Sequence, residues 1–572
     1  MLQLQRYEHM KNNLSIVLSG EAGQGIRTVE LLTIRAFKDS GYNVFSTTEL
    51  MSRVRGGNNT TEIRISGKKM QAYVDKIDIL IILSKNAISR IENRISKDTL
   101  VIGQNSFIEE KYKNGQYKII NLDLSSLAKE AGGIIYSNII IYGFISGIFN
   151  IDLNLIKEHI AKHFSTKGNE IIDNNIKAVT KGYTKGKDLK LNIQIEKDDK
   201  IKSQVLLSGT ESIGIGALAA GCNFITAYPM SPSTGVIHFL AKHADDFGIV
   251  VEQAEDEISA INMIQGAWYA GARAMTTTSG GGFALMEEGI SNAAITETPI
   301  VIHLAQRPGP STGLPTKTEQ GDLNLALYAG HGEFPRIIFA PGNFEDGIFL
   351  TQKAFNLADK YQVPVIILTD QFYIDSYQNI KSIDFSNFNI ENHFVETDKD
   401  YKRYKLTKDG ISPRGIPFHG KGFVRFDSHE HDEGGFITED PDLRQKMMDK
   451  RLGKLNSYFK ESIDAEIIGS QNYKTLIVGW GSTYGVIKEA IENINDDDFA
   501  FAYFKQIYPL PNNTKEILSK AKKLILIENN ATAQFGQLIK RDTGMEFANN
   551  ILKYNGMPFS VEEITEKIKA LK

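Results

Sequence analysis

A cluster of carboxylates and a run of glycines lie close together near the middle of the sequence. Four acidic residues end with Glu257, directly before a helix rich in small residues; the other three are Glu252, Glu255 and Asp256. A predicted strand, Ala274–Thr278, follows, and Ser279-Gly-Gly-Gly282 begins the next helix. Charged residues avoid burial unless they have a partner or a task. Glu257, Gly281 and Gly282 are therefore candidates for contact with a cofactor. An exposed glutamate favoured by the helix dipole is the alternative for Glu257.

Three polar loops each follow a predicted strand in this part of the chain. They cover residues 228–234, 279–282 and 306–316, and the first of them carries three aliphatic hydroxyl groups and two prolines. Ligands of open α/β sheets bind beyond the carboxyl ends of the strands. We therefore expect the three loops to lie at one rim of a sheet and to form the active site there.

The first predicted domain opens with the order strand, glycine turn, helix, strand. The turn is Gly20-Glu-Ala-Gly-Gln-Gly25, after a strand at Leu14–Leu18 and before a helix that runs to about Ser40. This order is typical of a dinucleotide fold, but the spacing is G-x-x-G-x-G and the predicted end of the second strand, Phe45-Ser-Thr-Thr48, carries no acidic residue. Gly23, Gln24 and Gly25 indicate either a helix N-terminus that faces an anion or a turn that only lets helix pack on strand.

Two further features belong to the same domain. Arg55, Gly56 and Gly57 stand in an arginine and glycine turn, which can hold a phosphate or a partner's carboxylate, or can simply be solvated. The strand Asp78–Leu83 is almost entirely apolar, which predicts a parallel sheet covered on both faces.

Composition limits the classes of protein that the chain can belong to. With 572 residues, 41% hydrophobic and 23% charged, it is long enough for three or four domains of an ordinary globular protein. A net charge of -4 gives no sign of nucleic acid or of an anionic membrane as a partner. The single cysteine, Cys222, excludes a disulfide framework and a cysteine-ligated iron–sulfur cluster within this chain.

One stretch is long enough to cross a bilayer. Residues 131–151 contain no charge, but glycine, serine and asparagine interrupt them, which favours a strand followed by a buried or interface helix. The first twelve residues do not resemble a signal peptide, and we expect a cytoplasmic protein without a membrane span.

The pattern of elements predicts an α/β, multidomain protein. The predicted parts are a tail (1–12), an α/β domain (13–184), a charged linker (185–203), a second α/β domain (204–375), an irregular segment (376–466) and a last α/β domain (467–572). Within the irregular segment, His429-Glu-His-Asp-Glu433 fits either a metal site or a hydrogen-bonded loop.

Several motifs together resemble a 2-oxoacid:ferredoxin oxidoreductase, in the form whose gamma and alpha parts are fused. The motifs GEAGQG and RVRGG match the gamma part, and GALAAGCNFITAYPMSPST, QAEDEISA and RPGPSTGLPT, the most specific, match the alpha part. HDEGGFITED, KRLGKL and GWGSTYG continue the resemblance toward the end of the chain. Ser231 stands where the family usually has threonine, which leaves the substrate in doubt but not the reaction class. The resemblance implies a gamma-type domain, a pyrimidine-binding domain and a C-terminal transketolase-C-like domain.

The resemblance also implies thiamine diphosphate chemistry. Glu257 matches the acid that binds the aminopyrimidine ring, and burial would raise its pKa. Tyr228, Pro229 and Ser231 match the substrate-binding loop, and Tyr228 is also a cofactor candidate. Arg307 and Thr316 match positions used for the substrate carboxylate or for coenzyme A, although Arg307 also fits a surface ion pair. Gly23, Gln24, Gly25, Arg55, Gly56 and Gly57 are kept as candidates for coenzyme A or another anion.

The chain lacks the other half of such a site. No Gly-Asp-Gly magnesium motif is present in the sequence. A separate beta subunit is therefore expected to bring the diphosphate site, Mg²⁺ and a [4Fe–4S] cluster. The expected assembly is an (alpha-beta)₂ heterotetramer that reduces ferredoxin and converts a 2-oxoacid such as pyruvate or 2-oxoglutarate to acyl-CoA and CO₂. The alternatives are a non-redox thiamine diphosphate decarboxylase or ligase, and a nucleotide-binding regulatory module.

Overall fold

The computed structural model describes residues 13–21, 25–52, 57–113 and 117–572. These residues form two compact units. The first consists of residues up to Leu207 together with Ser376–Ser382 and Ser560–Glu562. The second consists of Ser208–Asp375, Ile383–Phe559 and Glu563–Lys572.

The first unit contains most of the amino-terminal elements. In chain order they are β1 (Asn13–Glu21), α1 (Ile26–Asp39), β2 (Asn43–Glu49), β3 (Asn58–Ser66), β4 (Ile79–Ile82), β5 (Leu100–Gly103), α2 (Glu110–Lys113), β6 (Lys118–Asn121), α3 (Leu124–Glu130), α4 (Ser137–Ile148), α5 (Leu153–His163), α6 (Asn169–Lys187) and β7 (Val205–Ser208).

The sheet of the first unit is mixed, and the prediction of a parallel sheet is wrong for half of it. The strand order is β6-β5-β4-β1-β3-β2-β14-β7, where β14 is Tyr377–Ile380. Strands β1, β4, β5 and β6 are parallel, whereas β3 runs antiparallel between β1 and β2. A dinucleotide fold needs its first two strands as parallel neighbours. The insertion of β3 therefore separates this unit from that fold, despite the similar order of elements.

The apolar stretch at 131–151 forms one helix and no strand. Residues Ile134–Tyr136 make a 3₁₀ turn, and α4 follows with ten of its twelve residues buried. In the described part of the chain no single helix has the length and hydropathy of a membrane span, although one bent pair, Leu124–Glu130 with Ile134–Ile148, has them by length and composition alone.

The second unit begins with the elements that surround the predicted site. They are α7 (Gly209–Ala219), β8 (Phe224–Ala227), α8 (Thr234–Lys242), α9 (Ala244–Phe247), β9 (Val250–Gln253), α10 (Glu257–Tyr269), β10 (Ala274–Thr278), α11 (Gly280–Leu285), α12 (Glu287–Ile295), β11 (Ile300–Gln306), α13 (Leu323–Tyr328), β12 (Ile337–Phe339), α14 (Phe344–Tyr361), β13 (Pro364–Asp370) and α15 (Gln371–Asp375).

The remaining elements run to the carboxyl end of the chain. After β14 come β15 (Phe394–Thr397), β16 (Arg414–Gly420), α16 (Pro441–Tyr458), β17 (Glu466–Gly469), β18 (Thr475–Trp480), α17 (Thr483–Ile494), β19 (Phe499–Phe504), β20 (Gln506–Tyr508), α18 (Thr514–Lys520), β21 (Lys523–Glu528), α19 (Gln534–Thr543), β22 (Asn549–Leu552) and α20 (Val561–Ala570).

Two sheets organise the second unit. The larger has the order β20-β12-β13-β11-β10-β8-β9, and all its strands except β20 are parallel. The other has the order β17-β19-β18-β21-β22, in which only β17 is antiparallel. Because β20 pairs with β12, a strand from the end of the chain extends the sheet of the predicted pyrimidine-binding domain.

The segment 376–466 is less irregular than its composition suggests. Its last part forms the 18-residue helix α16, capped by the side chain of Asp440, which accepts hydrogen bonds from the backbone of Asp442 and Leu443. The sequence of this helix shows no amphipathic periodicity, because most of the side chains on its buried face are charged: Lys450, Arg451 and Lys454. In the predicted linker, Leu191 and Ile195 are buried in the core of the first unit. The finer division into domains stays a prediction.

Candidate active site

Loops at the carboxyl ends of parallel strands form one rim in the second unit. Strands β8, β9, β10 and β11 end at Ala227, Gln253, Thr278 and Gln306. The loops that follow them contain most of the predicted site residues. Arg307 joins two of these loops, since its Nη1 donates a hydrogen bond to the backbone carbonyl of Ser231 at 2.6 Å.

Glu257 is the first residue of α10, and Asp256 caps the helix. The Asp256 carboxylate accepts a hydrogen bond from the backbone N–H of Ser259 at 2.7 Å, so Glu257 is not needed for capping. The Glu257 side chain is only 3% exposed, and burial raises its pKa above the ordinary value. Its Oε1 is shielded from solvent and has no hydrogen-bond partner among the residues that the structure describes.

The glycine turn after β10 packs against this carboxyl group. A Cβ atom at Gly282 would overlap both Oε1 of Glu257 and Oγ1 of Thr278, whereas a Cβ atom at Gly281 would meet nothing within 4 Å. Because Gly282 has no side chain, there is room for the carboxyl group of Glu257 beside it. Ser279 occupies the N-cap position of α11, and its buried Oγ also lacks a hydrogen-bond partner within the described ranges.

The substrate-binding candidates line the same rim with different exposure. Tyr228 is 42% exposed, Pro229 is half-buried and Ser231 is exposed. Thr316 is half-buried, near the end of the loop that Arg307 begins. The hydrogen bond from Arg307 to Ser231 thus ties the loop after β11 to the loop after β8.

Asp322 is a site residue that the sequence analysis did not select. Its side-chain oxygens lie 2.6 and 2.7 Å from the position that a Cβ of Gly280 would take, and its backbone N–H donates to Oε1 of Gln306 at 3.0 Å. The buried Oδ2 has no hydrogen-bond partner among the described residues. In the sequence Asp322 stands directly before a helix, a position that usually marks a cap, and it follows shortly after the RPGPSTGLPT motif that matches the alpha part.

The carboxyl-terminal part of the second unit fixes the segment that carries Asp322. Gln320 exchanges two hydrogen bonds with the backbone of Asn529, of 2.7 and 2.9 Å, and donates from Nε2 to the carbonyl of Trp480 at 2.8 Å. Gln534 donates to the carbonyl of Gly321 and accepts from the N–H of Asn324, each at 2.8 Å. Residues on both sides of Asp322 are therefore held by the carboxyl-terminal part of the second unit.

Of the remaining predicted site residues, the structure describes Gly25 and Gly57 but not the other four. Gly23, Gln24, Arg55 and Gly56 lie outside the described residues. Gly25 has a positive φ of 66° at the start of α1, and Gly57 packs against the side chain of Met51. Both belong to the first unit.

The histidines and acids at 429–433 have separate partners. His429 contacts Asp427 at 2.8 Å, His431 stacks on the ring of Tyr404, and Glu430 pairs with Arg451 at 2.7 Å. In the described part of the chain, no group of three histidine, cysteine or acidic side chains is placed to hold a metal ion.

The residues around the glycine turn fit the pyrimidine side of thiamine diphosphate. Three buried polar atoms without a partner among the described residues lie around the glycine turn that follows β10: Glu257 Oε1, Ser279 Oγ and Asp322 Oδ2. Leaving buried polar groups unpaired destabilises a protein, so such atoms point to a ligand that pairs with them. A carboxyl group of raised pKa is the donor that a ring nitrogen requires.

Known proteins resemble the chain along almost its whole length. The 2-oxoacid:ferredoxin oxidoreductase subunit alpha of a Sulfolobus species is 32% identical over 98% of this chain and 97% of its own length. This chain belongs to the 2-oxoacid:ferredoxin oxidoreductase family. A family model described as pyruvate ferredoxin/flavodoxin oxidoreductase matches residues 15–185. Another, described as the thiamine diphosphate-binding part of pyruvate flavodoxin/ferredoxin oxidoreductase, matches residues 215–450.

A solved structure of a 2-oxoacid:ferredoxin oxidoreductase has the same fold. It is the 2-oxoglutarate:ferredoxin oxidoreductase from Magnetococcus marinus with 2-oxoglutarate, coenzyme A and succinyl-CoA bound. It matches with a TM-score of 0.92 and 32% identity over 98% of this chain and 99% of that one. The 2-oxoglutarate synthase subunit KorA of Archaeoglobus fulgidus is 34% identical over 59% of this chain and 89% of its own length. The predicted family, α/β multidomain fold and oxidoreductase class are confirmed.

Proposed function

We propose that this chain is the alpha subunit, with a fused gamma part, of a cytoplasmic 2-oxoacid:ferredoxin oxidoreductase that depends on coenzyme A. The reaction converts a 2-oxoacid and coenzyme A to acyl-CoA and CO₂ and passes two electrons to ferredoxin. The observation that carries the proposal is Glu257, a buried carboxyl of raised pKa with an unpartnered oxygen at the rim of the parallel sheet. The ligands named for the Magnetococcus marinus enzyme support 2-oxoglutarate as the first oxoacid to test.

Each residue at the rim has a proposed task. Glu257 and the turn at Gly281 and Gly282 hold the pyrimidine side of thiamine diphosphate, which when bound supplies the electron sink that oxoacid decarboxylation needs. Burial disfavours the carboxylate of Glu257 and so favours a proton shared between its unpartnered Oε1 and the ring. Arg307 binds the substrate carboxylate, and Tyr228, Pro229, Ser231 and Thr316 shape the substrate pocket. Gly25 and Gly57, with their described surroundings in the first unit, stay candidates for an anion such as coenzyme A.

A second chain completes the site in this proposal. The single cysteine is Cys222, which is 3% exposed, and the sequence has no Gly-Asp-Gly motif. We therefore assign Mg²⁺, the diphosphate site and a [4Fe–4S] cluster to a beta subunit, in an (alpha-beta)₂ assembly.

Dependence on this partner tests the proposed function. The chain purified alone, with thiamine diphosphate and Mg²⁺ added, is expected to be colourless and unable to release CO₂ from pyruvate or 2-oxoglutarate. Co-expression with a partner that carries four or more cysteines and Gly-Asp-Gly should give a brown complex that reduces methyl viologen only with an oxoacid and coenzyme A. Turnover by the isolated chain would contradict the proposal.

Removal of the Arg307 side chain tests substrate binding. In the assembled enzyme, Arg307→Ala should raise KM for the oxoacid or for coenzyme A by about one to two orders of magnitude, because a lost charge-assisted pair costs about 1.5–3 kcal/mol. Arg307→Lys keeps the charge but not the planar guanidinium group, so its KM should lie between those of the unmodified enzyme and Arg307→Ala.

The matched control for Arg307 is Lys242→Ala, which removes an exposed cation at the end of α8. This variant should retain the kinetics of the unmodified enzyme. Unchanged KM values for both substrates in Arg307→Ala would identify Arg307 as a residue that only ties two loops together.

A further inference from the structure

Asp322 is an acidic residue at the rim that carries the proposed site. Its Oδ2 is shielded from solvent and accepts no hydrogen bond from the described residues. Both carboxyl oxygens pack against Gly280, where a Cβ atom would approach to 2.6 and 2.7 Å. Asp322 and Glu257 thus flank the same glycine turn, Asp322 at Gly280 and Glu257 at Gly282.

The fold holds Asp322 in this position from both sides. Gln320 and Gly321, which precede Asp322, form hydrogen bonds with Asn529, Trp480 and Gln534. The backbone N–H of Asp322 donates a hydrogen bond to Gln306. A carboxyl group without such fixation would turn toward water, because burial without a partner is unfavourable. Its retention at the rim indicates that a ligand group supplies the missing hydrogen bond.

The charged and titratable groups around Asp322 come from three elements. Glu319 lies on the same loop, Arg307 follows β11, and Glu257 begins α10 on the other side of the glycine turn. Burial first, and then the negative charge of Glu319, raise the pKa of Asp322 to about 6, while the positive charge of Arg307 opposes the rise. Arg307 therefore stabilises the ionised form of Asp322 only as long as its own charge is not neutralised.

We propose that Asp322 is a further substrate-binding residue, whose carboxyl group takes up one proton from solvent when the carboxylate of a 2-oxoacid binds to Arg307, and then donates a hydrogen bond to the bound substrate. The inference rests on the proposed function, because it requires an anionic oxoacid at Arg307. The physical reason is electrostatic. The substrate carboxylate neutralises Arg307 and adds a negative charge near Asp322, and both changes favour the protonated carboxyl group.

Proton uptake by Asp322 on substrate binding predicts how KM for the oxoacid changes with pH. Below about pH 6 Asp322 is already protonated in the free enzyme, and KM for the oxoacid should not change with pH. Above about pH 6 binding must include proton uptake, so KM should rise with pH, by at most about tenfold for each pH unit. The rise should end where pH exceeds the pKa of Asp322 in the substrate complex.

The test is steady-state kinetics of the assembled enzyme with pyruvate and 2-oxoglutarate from pH 5.5 to 8.5. In Asp322→Asn the amide donates a hydrogen bond without titrating, so KM should stay near its low-pH value over the whole range. Asp322→Ala, which lacks the donor and does not titrate, should have a KM about tenfold above the low-pH value of the unmodified enzyme over the whole range. Glu319→Gln, the matched control on the same loop, should keep the rise of KM with pH and shift its onset to lower pH.

Three outcomes would overturn the inference. They are a KM of the unmodified enzyme that does not change between pH 6 and pH 8, an Asp322→Asn variant with the same pH profile as the unmodified enzyme, and an Asp322→Ala variant whose KM at pH 5.5 equals that of the unmodified enzyme. The first needs no variant and so does not depend on the folding of any substitution. If the unmodified complex turns over no oxoacid, the proposed function itself fails and the inference fails with it. Turnover with an unaltered profile in Asp322→Asn contradicts the role of Asp322 alone.

Discussion

Replacement of Glu257 by glutamine is expected to lower oxoacid-dependent reduction of ferredoxin or viologen by about two orders of magnitude or more. Glutamine has the same volume and still donates a hydrogen bond, so the variant should fold, bind its partner and keep the iron–sulfur colour. It cannot share a proton with a ring nitrogen as a carboxyl group does. Burial raises the pKa of Glu257, which favours a carboxyl group that can share a proton with a ring nitrogen, and an amide cannot take over that role.

Hydrogen–deuterium exchange at C2 of bound thiamine diphosphate separates two explanations of the loss. Exchange should slow in parallel with turnover if Glu257 activates the cofactor. If turnover falls while exchange stays fast, Glu257 serves geometry or substrate binding, and Glu255 becomes the next candidate for the activating acid. Glu255→Gln is the matched control, because Glu255 is exposed two residues earlier in the chain. It should retain normal turnover.

Replacement of a second buried glutamate, Glu297, is expected to destabilise the protein without touching the proposed site. Glu297 is fully buried, and its carboxylate binds the ammonium groups of Lys450 at 2.5 Å and Lys454 at 2.6 Å. Arg403 donates to the Glu297 carbonyl at 2.7 Å. Glu297→Gln would leave buried cations without their counter-charge, and the loss of one partner from such a pair costs about 3–5 kcal/mol.

Thermal unfolding of the assembled enzyme at different pH values measures this effect. Burial alone would raise the pKa of Glu297, but the charges of Lys454, Lys450 and Arg403 hold it below the ordinary value. Its stabilisation is therefore complete above the ordinary pKa of a glutamate and is lost only as pH falls through the lowered pKa. The difference in Tm between the unmodified enzyme and Glu297→Gln should be largest near pH 7 and should decrease at acidic pH.

The matched control for Glu297 is Glu516→Gln, which removes an exposed ion pair with Lys520 on α18. This change should leave Tm unchanged, because surface ion pairs contribute little. A Glu297→Gln protein that unfolds at the same temperature as the unmodified one would show that the buried cations tolerate the loss of their partner.

The local pattern of the sequence was enough for the elements around the proposed site. The bounds predicted for β10, Ala274–Thr278, agree with the structure. Short apolar runs bounded by glycine or polar residues are typical of buried parallel strands. The expectation that loops 228–234, 279–282 and 306–316 share a rim is met as well, because the carboxyl ends of parallel strands must lie at one edge of a sheet.

Pairing between distant segments could not be derived from the same pattern. The antiparallel strand β3 separates β1 from β2, and β14, more than three hundred residues away, pairs with β2 in the same sheet. Hydrophobic periodicity identifies a strand but not its neighbours, since any strand with a matching face can pair with it. Helix α16 was missed for a related reason, because its inner face binds other charges and so carries no apolar stripe.

The roles of three acids, two of them buried and one half-buried, show most clearly what only the tertiary structure decided. By sequence, Glu257, Glu297 and Asp322 are all acidic residues near the end of an element. Packing gives Glu297 cations that lower its pKa, and gives Glu257 and Asp322 glycine contacts and unpartnered oxygens in buried surroundings that raise theirs. The sequence determined which residues can carry a proton and that Glu257 lies at the rim of a sheet. The tertiary structure determined the direction in which each pKa shifts, because pKa depends on neighbours that are distant in the chain.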